Sequence, residues 1–412
     1  MIKKFLKAAS FYSVGNAYVA LAGFALIPFM TRLIDVGSLG YIFLFQAIIV
    51  LASSVIGIGG QAVLQNLYFK ADSRFSTYFS SALTNALIAW VILNLLFLFI
   101  GNQLFGLLGL EFAYGMLAIF FSIFVFVQSV IHTILQAMSE AKKFLIMVVC
   151  TASAGFSVTI ILLLYVSHEW QVRIVGIGTG LLIGSAFIIF LIKKIGFSKP
   201  KFTEMKELIG IGHPVVIHSF AMLLINQTDK FLLANLKTSV EVGVYGVAAQ
   251  LASVVTLFGS TLSMAYAPIL YKKINSLVKS DQIDIVKIRR LCMAGVVIFS
   301  VIIMLIILNY SELIIGSKFP FYATPFILLI SASVVFSWYF LYAGYFYQFK
   351  QTKLLALISS SIAVINVIVS YILIPEYGLV GAAIGTLVSY LFGWLCAFSF
   401  ARKCLRSLNI PS

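Results

Sequence analysis

Twelve runs of about twenty mostly apolar residues, joined by short polar connections, account for nearly all of this 412-residue chain. They fall at roughly 9–30, 41–62, 78–100, 113–136, 144–166, 174–192, 210–228, 243–268, 291–309, 322–346, 354–374 and 378–400. About 20 apolar residues carry a helix across the hydrocarbon core of a bilayer. Inside that core only helices and closed barrels satisfy their own backbone hydrogen bonds. The chain is therefore expected to be an all-α integral membrane protein with twelve transmembrane helices. Charged residues make up 10% of the sequence, against roughly 25% in soluble domains, which excludes a water-soluble fold.

The net charge of +15 does not point to nucleic acid, because the basic residues sit between the apolar runs and no RNA- or DNA-binding motif accompanies them. With the N-terminus in the cytoplasm, twenty-three Lys and Arg fall on the cytoplasmic side and five on the other. A miscounted run would invert every later connection and scramble this asymmetry. Both termini are thus expected in the cytoplasm. The apolar stretch after Lys3, Lys4 and Lys7 continues to Met30 and reads as a retained first helix, not a cleaved signal. Cys150, Cys292, Cys396 and Cys404 have no paired spacing, so neither a disulfide nor a metal site is expected.

A weak internal repeat divides the runs into two sets of six. Tyr41 and Gln46 recur as Tyr245 and Gln250, Leu67-Tyr68-x-Lys70 as Leu270-Tyr271-x-Lys273, and Val175-Gly176 as Val380-Gly381, all at offsets of 203 to 205 residues. Six is even, so the halves enter the membrane with the same polarity, as parallel repeats do. The expected domains are a six-helix lobe at 1–192, a cytoplasmic linker at 193–209 and a second six-helix lobe at 210–412, the two bundles surrounding a central cavity. Residues 269–290 read as a short amphipathic interfacial helix. Gly176, Gly180 and Gly184, echoed by Gly381 and Gly385, form small-residue stripes that let helix backbones approach.

Polar side chains inside spans face a partner or a water-filled space. Gln128, His132 and Gln136 share one face of the fourth run at spacings of four. His218, Asn226 and Asp229 lie near one face of the seventh, Asn16 is in the first, and Gln46 and Gln250 are repeat-related. These are candidate cavity residues; interhelical hydrogen bonding is the simpler account of any one of them, and the repeat-related positions bring the cavity reading level with it for the set. Arg32, Asp229 and Lys230 lie at the outer ends of the first and seventh runs, as an anion contact, a gate or snorkelling side chains. Asp229 and Lys230 are adjacent and do not face each other, so Arg32 is the expected partner of Asp229. His218 is a candidate for proton coupling. The eight aromatics between Trp338 and Phe349 read as an interfacial belt.

Several segments together carry a resemblance: Thr31-Arg32-Leu33, Gly40-Tyr41, Asp229-Lys230-Phe231-Leu232-Leu233, Val242-Gly243-Val244-Tyr245, Ala267-Pro268-Ile269-Leu270 and Tyr377-Gly378-Leu379-Val380-Gly381-Ala382-Ala383. In these, and in length and span order, the chain resembles the polysaccharide-transport members of the multidrug/oligosaccharidyl-lipid/polysaccharide exporter superfamily, the Wzx-type O-antigen flippases. The resemblance implies a bacterial inner-membrane flippase. Such a protein moves undecaprenyl-diphosphate-linked O-antigen or polysaccharide repeat units from the cytoplasmic to the periplasmic leaflet by alternating access. It also implies a lipid-linked oligosaccharide and membrane lipids as partners, together with the polymerase and chain-length regulator of the same pathway. No cofactor and no enzymatic activity are expected, and coupling to an H+ or Na+ gradient or to the membrane potential stays open. One departure is the scarcity of basic residues deep in the spans, where a diphosphate would be held. A cation-coupled multidrug exporter of the same superfamily is the nearest alternative, but it expects acidic residues early in the first helix and none precedes Asp35. A lipid II flippase would bring extra spans. A membrane enzyme of polysaccharide assembly would need a large external loop, and none here exceeds roughly fifteen residues.

Overall fold

The computed structural model describes residues 2–57, 60–69, 74–274 and 279–407; the side chains of 2–10, 13, 61, 62, 66, 213–219, 272, 279–282 and 407 lie outside that description. Among the described residues there are fourteen helices and no strand. They are α1 (Ile2–Leu33), α2 (Val36–Ile56), α3 (Gly60–Phe69), α4 (Phe75–Leu107), α5 (Phe112–Ala137), α6 (Ala141–Tyr165), α7 (Gln171–Ala186), α8 (Ile188–Ile195), α9 (Phe202–Leu236), α10 (Ser239–Lys273), α11 (Lys279–Ile315), α12 (Ala323–Gln348), α13 (Thr352–Tyr377) and α14 (Leu379–Ser407). Eleven segments have the length and hydropathy of membrane spans, and each coincides with one of the apolar runs. The remaining run, 210–228, lies inside α9. The protein is a multi-pass membrane protein.

Local chemistry sets several helix ends. Asp35 caps α2, its carboxylate accepting from the backbone N–H groups of Gly37 at 2.9 Å and Ser38 at 3.3 Å. This starts the second span at Val36, five residues before the expected position, and leaves α3 as a separate helix. Between α13 and α14 a single residue, Gly378, turns the chain at φ +53°, a backbone conformation that suits a residue without Cβ. The sixth span is interrupted at Phe187. One and a half turns earlier the Gln128 amide donates to the Leu181 carbonyl at 2.9 Å, a side chain intruding on the helical ladder.

Contacts divide the chain into two compact units, Met1–Leu224 with Thr238–Gly243, and Ile225–Lys237 with Val244–Ser412. In the first unit α6 packs on α7, α5 on α7 and α4 on α5. In the second, the repeat-related pairs do the same: α13 on α14, α12 on α14 and α11 on α12. The glycine stripes serve these seams. A Cβ on Gly180 would lie 2.8 Å from the Thr151 carbonyl oxygen of α6, and one on Gly385 would collide with Ser370 of α13.

Two segments differ from expectation. Residues 193–209 are helical at both ends, in α8 and α9, and are fastened to α4 of the first unit. Ser198 meets Ser76 at 2.5 Å, the Lys201 N–H donates to Ser81 at 3.3 Å, Asn85 donates to the Met205 carbonyl at 3.0 Å, and Tyr78 donates to Glu207 at 2.6 Å. These bonds make the segment part of the first unit's packing, and the boundary between units by contact falls further on, within α9. Within 269–290 the described residues are 269–274 and 279–290, and 275–278 lie outside the description. The described parts belong to the end of α10 and the start of α11, which a 2.7 Å ion pair between Lys273 and Asp284 joins.

Candidate functional site

The second unit contains a carboxylate enclosed by hydroxyls. Asp229, in α9, is 5% exposed. Its Oδ2 accepts from the Tyr245 hydroxyl of α10 at 2.5 Å and from the Thr386 hydroxyl of α14 at 2.5 Å, while its Oδ1 accepts from Ser370 of α13 at 3.1 Å. Tyr245 and Thr386 also lie 3.2 Å apart. Four helices therefore converge on one side chain. Asn366, one turn before Ser370 on α13, is fully buried beside the carboxylate. Arg32, the partner expected from sequence, is exposed and donates to the Pro28 carbonyl of its own helix at 2.8 Å. The oxygens of Asp229 are instead taken by hydroxyls of its own unit.

In an apolar interior an isolated carboxylate is costly unless its charge is balanced. Three hydroxyls orient and partly stabilise such a group but bring no countercharge. The arrangement suits a carboxyl group that carries a proton in one state and a small cation, shared with hydroxyl oxygens, in another. Nearby, Tyr390 stacks on Phe336 at 4.2 Å and donates to Asn226 at 3.3 Å. Lys230, the next residue on α9, donates to Gln227 at 2.7 Å.

The other residues singled out from sequence have separate destinations. Gln128 is taken up by Leu181, as described. The His132 ring packs on Phe144 at 4.9 Å, and Gln136, on the same helical face, is exposed. Gln46 and Gln250 are half-buried, Asn16 and Asn226 exposed, and the side chain of His218 lies outside the described residues. Tyr245, Ser370, Thr386 and Asn366 were not singled out as site residues. The only prior signal was the recurrence of Tyr41 as Tyr245 and the four-residue spacing of Asn366 and Ser370 on one helical face.

Comparison with known proteins gives consistent likenesses. The chain matches the model of the family described as polysaccharide biosynthesis protein over residues 5–273. It is 23% identical over 366 residues to a Haemophilus influenzae protein named Lsg locus putative protein 1, covering 86% of this chain and 87% of that one. It is 22% identical over 392 residues to a Haloferax volcanii protein named probable low-salt glycan biosynthesis flippase Agl15, covering 92% and 79%. Among solved structures, lipid II flippase MurJ in an inward closed conformation matches with a TM-score of 0.69 at 16% identity, covering 95% of this chain and 87% of that one. That last likeness is one of fold.

Proposed function

The chain belongs to the polysaccharide biosynthesis protein family, and we propose that it is a flippase for undecaprenyl-diphosphate-linked saccharide repeat units of the O-antigen type. In this reading it works in the bacterial inner membrane, with both termini in the cytoplasm, by alternating access from the cytoplasmic to the periplasmic leaflet. The hydrophilic sugar diphosphate cannot enter hydrocarbon unaided, whereas its polyprenyl tail can remain in the lipid. A protein of many spans with a protected polar site answers that need. Support comes from the likeness, over 92% of this chain, to a protein named as a probable glycan biosynthesis flippase and from the placement of twenty-three of twenty-eight basic residues on one side of the runs.

The observation that carries an energised mechanism is Asp229, a buried carboxylate enclosed by hydroxyls from three other helices. We take it as the coupling group, exchanging a proton or Na+ as the carrier cycles. Arg32 and Asn16 in the first unit and Asn226 in the second are exposed polar groups within reach of a head group in this reading. In proteoliposomes loaded with a fluorescent undecaprenyl-diphosphate saccharide, the purified protein should bring the label to the opposite leaflet in response to an imposed ion gradient. A deletion strain should accumulate lipid-linked repeat units on the cytoplasmic leaflet and lose surface polysaccharide. Normal surface polysaccharide in that strain would overturn the reading.

A further inference from the structure

A second charged centre lies in the same unit and is the chemical opposite of the first. Arg289, near the start of α11, is 3% exposed. Its Nη1 donates to the Tyr345 hydroxyl of α12 at 2.8 Å, and that hydroxyl lies 3.0 Å from the Tyr266 hydroxyl of α10. The rings of Tyr342 and Tyr345 stand 4.7 and 5.8 Å from the guanidinium carbon. Among the described residues Arg289 has no carboxylate partner, and its Nε has no hydrogen-bond acceptor.

Counting hydrogens shows what the cluster lacks. A guanidinium presents five N–H donors and accepts nothing, while each tyrosine adds one O–H. The Tyr345 oxygen takes one N–H. One of the two hydroxyl hydrogens then closes the contact between Tyr345 and Tyr266, and the other is left over. Tyr342 lies over the guanidinium by its ring, and its hydroxyl donates to the Met293 sulfur at 3.8 Å. The cluster therefore holds a full positive charge, an idle Nε–H and a surplus hydroxyl hydrogen. Buried donors without acceptors are destabilising, and an ionisable group held in a span points to a role beyond packing. Aromatic rings cover the guanidinium, and its donors lie in its own plane, the geometry that meets two oxygens of a phosphate side by side.

We propose that Arg289, with Tyr266 and Tyr345, forms an anion site for the phosphate group of a membrane lipid. A phosphate supplies what the cluster lacks, acceptor oxygens and negative charge. The surroundings favour a lipid-borne phosphate: exposed Lys287 and Arg290 flank Arg289, and the helix then continues with Leu291, 73% exposed, and Ile298, 62% exposed. That change from basic to apolar surface is where phosphate head groups meet acyl chains. The site stands apart from the flippase reading, since a bulk phospholipid and a carrier lipid present the same group.

The test uses the full chain purified in a maltoside detergent, which contains no phosphate. Phosphatidic acid and inorganic phosphate are titrated separately, with binding read by native mass spectrometry and by thermal shift. Phosphatidic acid should bind, and Arg289→Gln should weaken it about tenfold or more, the loss of a charge-assisted hydrogen bond. Tyr266→Phe keeps the arginine and removes a donor, and should weaken binding roughly threefold; it decides the matter if the arginine variant does not fold. Arg289-dependent binding of inorganic phosphate without binding of the lipid would overturn the lipid assignment. Binding of both probes unaltered by either substitution would overturn the site. Failure of saccharide flipping with lipid binding intact would count against the flippase reading alone.

Discussion

Replacing Tyr245 by phenylalanine removes one oxygen from the carboxylate cage and leaves the ring in place. Its hydroxyl is the donor at 2.5 Å to Asp229 Oδ2, and that oxygen keeps only Thr386 afterwards. A hydrogen bond to a charged group is worth about 1.5–3 kcal/mol, and each 1.4 kcal/mol is a factor of ten. The Na+-loaded state, in which Asp229 is anionic, should therefore become about ten- to a hundredfold less favourable relative to the protonated one. In proteoliposomes driven by a Na+ gradient this appears as about a ten- to a hundredfold rise in the Na+ concentration giving half-maximal saccharide transport. Ser370→Ala removes a longer bond, 3.1 Å to Oδ1, and should raise it by only about threefold. Asp229→Asn should abolish the dependence on the ion altogether. The decisive readout is the ratio between gradient-driven and gradient-free rates at equal protein, since simple misfolding lowers both. An Asp229→Asn protein that still responds to the gradient like the unaltered chain would refute the coupling role.

Other perturbations test the packing and a charged connection. Gly180→Ala places a Cβ 2.8 Å from the Thr151 carbonyl, whereas Gly295→Ala in α11 meets nothing closer than the Leu262 side chain at 4.0 Å. The first should cost about 1–3 kcal/mol through overpacking, and the second should stabilise by up to about 1 kcal/mol through helix propensity, read as opposite shifts of the unfolding temperature in detergent. Glu140, between α5 and α6, is held below its ordinary value of 4.5 by hydrogen bonds from Lys194 and Lys143, at 2.6 and 3.2 Å. Its contribution is fully present above the unfolded value and disappears as pH falls through the lower folded value. The unaltered protein should thus lose an increment of about 0.5 kcal/mol below pH 4.5 that Glu140→Gln lacks at every pH, measured by thermal unfolding. Gln128→Leu, which strips the 2.9 Å bond to Leu181, should lower stability by about 1 kcal/mol and leave the ion dependence of transport unaltered.

The spans were legible because bilayer thickness imposes its length on the chain; even the lone Gly378 turn falls where two runs abut. The seams were legible too, since close backbone approach needs small residues at helical spacing, and Gly176, Gly180, Gly381 and Gly385 stand in register. Asp229 was conspicuous as an acid in an apolar run, but its company was not. Ser370 and Thr386 are 141 and 157 residues away, and hydroxyls in spans usually bond their own helix, as Ser53 and Thr179 do. Nothing in local spacing separates the few that reach across. Arg289 was counted among the basic residues of a connection, because its burial follows from the course of α11 beneath the tyrosines of α12. The face shared by Gln128, His132 and Gln136 was real as helical geometry. Which neighbour each residue met depended on α6 and α7, and the fourth run alone holds no record of them.

The two glycine seams also bear on how such a chain reaches its native state. Each joins helices adjacent in sequence, α6 to α7 across residues 166–170 and α13 to α14 across Gly378 alone. Closing so short a loop loses little chain entropy, and contacts between near neighbours form early. Glycine seams have few rotamers to freeze, so docking in lipid is opposed by little beyond the loss of helix mobility. Each unit thus has a hairpin able to assemble soon after its two helices enter the membrane, a template on which later-arriving helices settle.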